Sequence, residues 1–345
     1  MSVPAAPVLA LTQGDPAGVG PEVALRAALE GAAGAAWRPL LVAERAALRA
    51  HAAALGIAEG DWERLSFLSA PPTREELASL PAGRLAVVDP VGEDRALALG
   101  RSGSADAAGA LAALDLGADL ARRRVVDGLV TAPLSKQSIA RHVDPGFRGH
   151  TDYLAAACGL ERYGRDYLMT FLSPDLRVAL LSTHQPLAAA IAAVSDSRVG
   201  EALDCLARHV DGRIAVAGLN PHAGEGGLLG SEDDAVLRPA VAAARGRGVD
   251  AHGPESADSL FARARQGEFD WVLALYHDQG LIAVKTAAFG SATNWTMGLP
   301  YVRTSVDHGT AFHLAGSGQV RLEPMRAVVS RTLELVAARA GRPRS

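Results

Sequence analysis

Residues 271–303 read WVLALYHDQGLIAVKTAAFGSATNWTMGLPYVR. The first six form a continuous apolar run, the pattern of a strand covered on both faces in a parallel sheet. The run stops at His277-Asp278-Gln279-Gly280. Open α/β sheets bind ligands just beyond the carboxyl ends of their strands, so His277 and Asp278 stand where a site is expected. Lys285, Asn294 and Arg303 follow at intervals of nine residues. Nine matches neither a helical nor a strand face, so these three side chains are expected to meet through tertiary folding. A lysine, an asparagine and an arginine brought together describe a pocket for phosphate or carboxylate.

Other strand-like runs end in the same manner. Val8–Thr12 leads into Gln13 and then a turn rich in glycine and proline, residues 14–22. A helix is expected to follow to about Glu30, with Gly31 at its end. The turn is neither a G-x-G-x-x-G fingerprint nor a P-loop. Residues 39–43 read as a second strand, 44–55 as its helix, 59–81 as irregular and 85–88 as a strand. An alanine-rich helix is expected over 104–123 with Ser104 as its cap. Residues 125–131 form a strand ending in Ala132-Pro133-Leu134-Ser135-Lys136. Beyond it, His150 and Thr151 stand at a helix start, a place that binds anions.

Residues 167–172 and 177–182 read as adjacent strands, the second running into His184. Residues 213–218 form a strand running into His222. His184, His222 and His277 therefore each stand one to five residues past a strand-like run. If those strands are parallel neighbours, three imidazoles gather on one sheet edge. Three neutral imidazoles make a divalent-metal site with a position open to a substrate oxygen. The alternative is a metal-free anion pocket ringed by hydrogen-bonded histidines. Zinc, manganese, cobalt and magnesium are not separated at this level, although three nitrogens argue against magnesium.

Composition narrows the function classes. The chain has 345 residues, 49% hydrophobic and 21% charged, enough for two lobes each with a core. A net charge of −4 without a basic block gives no support for nucleic-acid binding. No apolar run approaches the roughly 18 residues that span a bilayer, so no membrane partner is expected. The first residues lack the basic region of a signal peptide. Two cysteines, Cys158 and Cys205, fit no metal spacing, which suggests a cytoplasmic location and no disulfide framework. The arginine-rich tail, 341–345, reads as disordered.

Five segments carry a resemblance to a known family: Gly14-Asp15-Pro16-Ala17-Gly18-Val19-Gly20-Pro21-Glu22, Gly149-His150-Thr151, Gly218-Leu219-Asn220-Pro221-His222-Ala223-Gly224-Glu225-Gly226-Gly227, Tyr276-His277-Asp278-Gln279-Gly280 and Arg303-Thr304-Ser305-Val306-Asp307-His308-Gly309-Thr310-Ala311. In this order they resemble the 4-hydroxythreonine-4-phosphate dehydrogenase family of pyridoxal 5′-phosphate biosynthesis. The resemblance implies a two-lobed α/β/α fold like that of isocitrate and isopropylmalate dehydrogenases, with the active site in the interdomain cleft. It implies a homodimer in which each subunit completes the other's site. A dinucleotide-binding lobe is expected over 1–129 plus 304–345, and a metal-, substrate- and dimer-binding lobe over 130–303.

The same resemblance implies metal ligation by His184, His222 and His277, and substrate contacts from His150, Thr151, Lys285, Asn294 and Arg303. Asp278 and Lys136 are the candidate catalytic groups, Asp278 to orient a ligand or relay a proton. Asp307, His308, Gly309 and Thr310 resemble the adenosine-binding turn of isopropylmalate dehydrogenases, and so are the expected contacts for NAD or NADP. The expected reaction is oxidation and decarboxylation of 4-phosphooxy-L-threonine to 3-amino-2-oxopropyl phosphate. Two positions depart from the family pattern: Trp295 stands where a small aliphatic residue is expected, and Ser135 where many members carry histidine. They leave room for a related phosphorylated hydroxy acid such as 4-phospho-threonate or 4-phospho-erythronate, or an aromatic cis-dihydrodiol. A metal-dependent binder of phosphometabolites without catalysis is the reading from another class.

Overall fold

The computed structural model describes residues 6–34 and 36–341, so residues 342–345 of the tail expected to be disordered lie outside the described residues. Among the described residues there are twelve strands, in chain order β1 Val8–Thr12, β2 Arg38–Val42, β3 Leu65–Leu68, β4 Leu85–Val88, β5 Gly128–Thr131, β6 Leu168–Leu172, β7 Arg177–Leu180, β8 Ile214–Ala217, β9 Ala251–Glu255, β10 Trp271–Ala274, β11 Thr293–Met297 and β12 Val302–Val306. The chain packs as two units, one of Met1–Leu154 with Pro300–Ser345 and one of Ala155–Leu299. The division falls after Leu154, so Lys136, His150, Thr151 and Arg303 all belong to the first unit. The lobe limits expected from the resemblance, 129/130 and 303/304, fall within β5 and β12.

The first unit holds a sheet in the order β3-β4-β2-β1-β5-β12, every pair parallel. β1, β4 and β5 are buried at every position, as strands with helices on both faces must be. The helices Gly20–Ala33 and Glu323–Ala340 close one core, in which Leu9, Leu11, Val23, Leu41, Val87, Val130 and Val328 are buried. In the second unit the order is β11-β6-β7-β10-β8-β9. There β11, β6 and β7 pair antiparallel, while β7, β10, β8 and β9 run parallel. Among the described residues no helix is long and apolar enough to cross a membrane.

Several local expectations are corrected. Gly31 lies inside the first helix, which runs to Ala33; a Cβ there would stand 2.3 Å from the Trp37 ring, so the glycine serves close packing. Residues 59–81 contain the short helices Glu59–Glu63 and Arg74–Ser79 and the edge strand β3. The alanine-rich helix is capped at Gly103, whose N–H donates to the Asp106 carboxylate at 2.8 Å, and not at Ser104. The strand at the head of residues 271–303 ends at Ala274, and His277 itself begins the helix His277–Ala288.

Candidate functional site

β7, β10 and β8 are parallel neighbours. His184, His277 and His222 follow their carboxyl ends, as the strand-end reading requires. The rings of His184 and His277 lie 5.1 Å apart between centroids, inclined at 45°. They line a cavity of about 370 Å³ together with Thr183, Gln185, Tyr276 and Asp278. The helix from His277 sits close on the sheet because Gly280 has no side chain: a Cβ would meet Leu180 Cδ2 at 2.7 Å. Gln279 ties two strand ends together. Its Oε1 accepts the Leu275 N–H at 2.7 Å and its Nε2 donates to the Gly218 carbonyl at 2.8 Å. One side chain thereby fixes the segment carrying His277 against the segment carrying His222.

His222 is held differently. Residues His222, Ala223, Gly224, Glu225 and Gly226 all have positive φ, between 45° and 83°. A non-glycine residue in that region costs roughly 1–2 kcal/mol, and such strain collects at functional sites. Nδ1 of His222 lies 2.9 Å from Glu225, and Nδ1 of His277 lies 2.7 Å from Asp278. A carboxylate only accepts, so in each pair Nδ1–H donates, and in the neutral ring Nε2 then keeps its lone pair. That is the donor chemistry of a metal-binding histidine oriented by a carboxylate. Among the described residues, no group of three or more His, Cys, Asp or Glu side chains in the single chain is gathered closely enough to hold a metal ion. The donor set fits a divalent metal; the single chain brings two of the rings together.

In the first unit, three basic residues converge. Arg303 is 1% exposed, and its Nη2 donates to the Thr131 hydroxyl at 2.5 Å. Lys136 passes over Gly149, where φ is +135° and a Cβ would stand 2.9 Å from the lysine Cε. His150 follows directly. Burial pushes its imidazole well below the usual histidine range, and Arg303 and Lys136 push in the same direction. Its Nε2 is buried without a hydrogen-bond partner in the protein. Such a nitrogen is expensive unless a ligand supplies the bond. Thr151, 5% exposed, is the next residue of the same helix. Chemically, such a group can receive an anion.

Lys285 lies on the helix begun by His277, and Asn294 lies on β11. Asn294 pairs with Phe171, which pairs with Val178, itself beside Val272. Those three pack with Leu281 and Val284 of that helix, so Asn294 faces the helix that carries Lys285. Its Oδ1 is buried without a partner. Lys285 and His277 thus share one helix. The Trp295 departure points the other way, its ring 6.2 Å from that of Trp271. Ser135 is occupied as a helix cap, accepting the Ser138 N–H at 3.1 Å. Neither substitution adds a polar group to the residues just described.

The expected cofactor turn rests on the glycine-rich turn of the same unit. The Val19 N–H donates to the Thr310 carbonyl at 3.0 Å. A Cβ on Gly18 would stand 2.9 Å from that oxygen. Asp307 and His308 are partly and largely exposed respectively, and His308 Nδ1 approaches the Gly309 carbonyl at 3.0 Å. Gly309 has open space where its Cβ would be, so a flat ligand can approach its backbone. The sequence reading gave no role to Gln279, Glu225 or Asp233; the first two stand within three positions of a histidine, and Asp233 stands in an acidic run before a helix.

Comparison with known proteins places the chain in a family. The family described as pyridoxal phosphate biosynthetic protein PdxA matches residues 35–331. The 4-hydroxythreonine-4-phosphate dehydrogenase of Acidithiobacillus ferrooxidans is 41% identical over 338 residues, covering 96% of each chain. The D-threonate 4-phosphate dehydrogenase of Salmonella typhimurium is 37% identical over 336 residues, covering 95% of this chain and 98% of that one. A crystal structure of 4-hydroxythreonine-4-phosphate dehydrogenase from Klebsiella pneumoniae superposes with a TM-score of 0.82 at 31% identity, over 96% of this chain and 100% of the other. With this coverage and fold, the chain belongs to the PdxA family of pyridoxal phosphate biosynthetic proteins and is a dehydrogenase.

Proposed function

We propose that this dehydrogenase oxidises the 3-hydroxyl of 4-phosphooxy-L-threonine with NAD or NADP and releases carbon dioxide, giving 3-amino-2-oxopropyl phosphate. The observation that carries the reading is the parallel order β7-β10-β8, which sets His184, His277 and His222 at adjacent strand ends. These three would hold the divalent metal, zinc, manganese or cobalt suiting nitrogen donors better than magnesium. When bound, the metal would supply Lewis acidity for alcohol oxidation and for loss of carbon dioxide from the β-keto acid. NAD or NADP, when bound, would supply the hydride acceptor. A homodimer with shared sites accounts for the donor set being incomplete in one chain. Exposed Leu187, Leu228, Ile282 and Phe289, on the segments that follow the three histidines, support such pairing. A cytoplasmic location is part of this reading, supported by a usage of only two cysteines in 345 residues.

The chain's own residues bind and orient. Arg303, His150 and Thr151 would grip the phosphate, which is remote from the reacting carbon and so supplies orienting energy, and Lys285 and Asn294 are further candidate substrate contacts. His150 is neutral and donates or accepts one hydrogen bond. Lys136, beside it, completes the positive field. Asp278 orients His277, the observed 2.7 Å contact favouring that role over proton relay. Asp307, His308, Gly309 and Thr310 receive the dinucleotide. Likeness to the Salmonella typhimurium relative keeps a phosphorylated hydroxy acid as the second reading. Absorbance at 340 nm decides, with 4-phosphooxy-threonine, 4-phospho-threonate and 4-phospho-erythronate each offered with NAD and NADP. Turnover of the amino acid alone upholds the proposal, turnover of phospho-threonate alone replaces it, and no turnover of any leaves a binder.

A further inference from the structure

The left-handed turn that carries His222 does not hold itself. Asp233 is fully buried. Its carboxylate accepts the Leu219 N–H at 2.8 Å, the Asn220 N–H at 3.0 Å and the Asn220 side-chain amide at 2.8 Å. Glu232 accepts from the same amide at 2.9 Å. These bonds close the loop at its base, from Leu219-Asn220 to Glu232-Asp233. At its crown, Gly224 packs so tightly that a Cβ would stand 2.9 Å from the Gly230 carbonyl and 3.3 Å from Asp233 Cβ. One left-handed turn brings side chains three residues apart onto one side. Here it delivers the Glu225 carboxylate to Nδ1 of His222. In a right-handed turn at this place the ring and the carboxylate would be presented elsewhere.

We propose that Glu225 and Asp233 are positioning residues for a metal ligand. Glu225 fixes the tautomer and ring direction of His222, so that Nε2 is the donor. Asp233 holds the turn in the left-handed form that makes this contact. The proposal rests on the metal-dependent reading above and extends it to two residues that the family resemblance did not assign. His277 and Asp278 repeat the arrangement on the neighbouring strand end, with Nδ1 again engaged by a carboxylate. Two independent loops thus converge on one way of presenting an imidazole.

The test uses the full chain stripped of metal, cobalt(II) as probe, and the variants Glu225→Gln, Asp233→Asn and His222→Ala. Glutamine both donates and accepts, so it no longer dictates which ring nitrogen is protonated. In metal-free protein, ¹⁵N shifts should report Nδ1–H for His222, and Glu225→Gln should lose that preference. Cobalt affinity should fall roughly 10–100-fold in Glu225→Gln and in Asp233→Asn. The visible cobalt band should move in both, and His222→Ala should lose that ligand outright. Because the Glu225 side chain is 54% exposed, its variant should unfold at the wild-type temperature, which a merely structural role would not combine with weaker cobalt binding. Wild-type cobalt affinity in Glu225→Gln overturns the proposal. If the wild type binds no cobalt at all, the metal reading falls. The nitrogen shifts then decide separately, an unchanged tautomer in Glu225→Gln refuting its hold on His222.

Discussion

Arg303 Nη2 donates to the Thr131 hydroxyl at 2.5 Å, from β12 to the neighbouring parallel strand β5. The guanidinium is 1% exposed, and burial holds it below the usual arginine range. Taking a cation out of water is costly unless charge of opposite sign comes with the ligand. Burial first, and then this cation together with Lys136, holds the adjacent His150 imidazole well below the usual histidine range. A phosphate arriving here would meet a fixed guanidinium fork and an imidazole free to share a hydrogen bond.

From this follows a prediction on substrate preference. Charge-assisted hydrogen bonds contribute roughly 1.5–3 kcal/mol each. Arg303→Ala should therefore lower kcat/KM for the phosphorylated substrate by about ten- to a hundred-fold or more. Lysine at this position should rescue only part, lacking the two-pronged planar grip. Measured against the dephosphorylated compound, wild type should strongly prefer phosphate and Arg303→Ala should lose most of that preference. Equal preference in both proteins would remove Arg303 from the phosphate site and favour an unphosphorylated diol.

What the sequence made legible was the strand-end placement. An apolar run followed by a polar turn marks both a buried parallel strand and its ligand edge, so His184, His222 and His277 were found together. What it hid was set by tertiary contact. Gly31 looked like a helix end because glycine usually stops a helix, but the Trp37 ring demanded a residue without a side chain. The edge strand β3 is only half-buried for most of its length, so it lacks the continuous apolar signal. Glu225 and Asp233 act through a left-handed turn, and no periodicity of ordinary helix or strand announces that geometry. Trp295 alarmed as a departure because alternation along β11, which turns it away from Asn294, requires knowing the register.

Acid should weaken the fold through its buried imidazoles. Burial lowers the pKa of His51, whose Nε2 lies 3.0 Å from the Pro16 carbonyl in the glycine-rich turn, and that of His150. The unfolded value is about 6.5. Above it neither state binds the proton and this stability is fully present. As pH falls below about 6.5, the unfolded chain takes up protons that the folded chain refuses, and stability drains until the folded pKa is passed. Asp15 and Glu22 have the opposite sign, their folded pKa values raised chiefly by burial, so their contribution is lost as pH rises from about 4. Comparing His51→Gln with wild type isolates the histidine, since the amide can still donate to Pro16. Tm should fall less steeply between pH 7 and pH 5 in the variant. Parallel curves would mean that His51 is protonated as readily in the folded chain as in the unfolded one.

Gly18 offers a way to test the cofactor turn without touching a residue that would contact the cofactor. Its added methyl would stand 2.9 Å from the Thr310 carbonyl oxygen and 3.2 Å from Thr310 Cβ, both fixed by the Val19 hydrogen bond to that carbonyl. Backbone cannot rotate aside as a flexible side chain would, so residues 309–311 must shift. Overpacking of this kind costs about 1–3 kcal/mol, divided between stability and the geometry of the turn. If the turn receives the dinucleotide, Gly18→Ala should raise its apparent constant about three- to thirty-fold, since each tenfold corresponds to about 1.4 kcal/mol. The constant for the phosphorylated substrate should stay near wild type, because Lys136, His150 and Arg303 lie on other segments. Gly60→Ala is the control, as its Cβ meets nothing within 4 Å. A lower Tm with an unchanged dinucleotide constant would show that the glycine-rich turn supports the fold alone, and would move the cofactor away from residues 307–310.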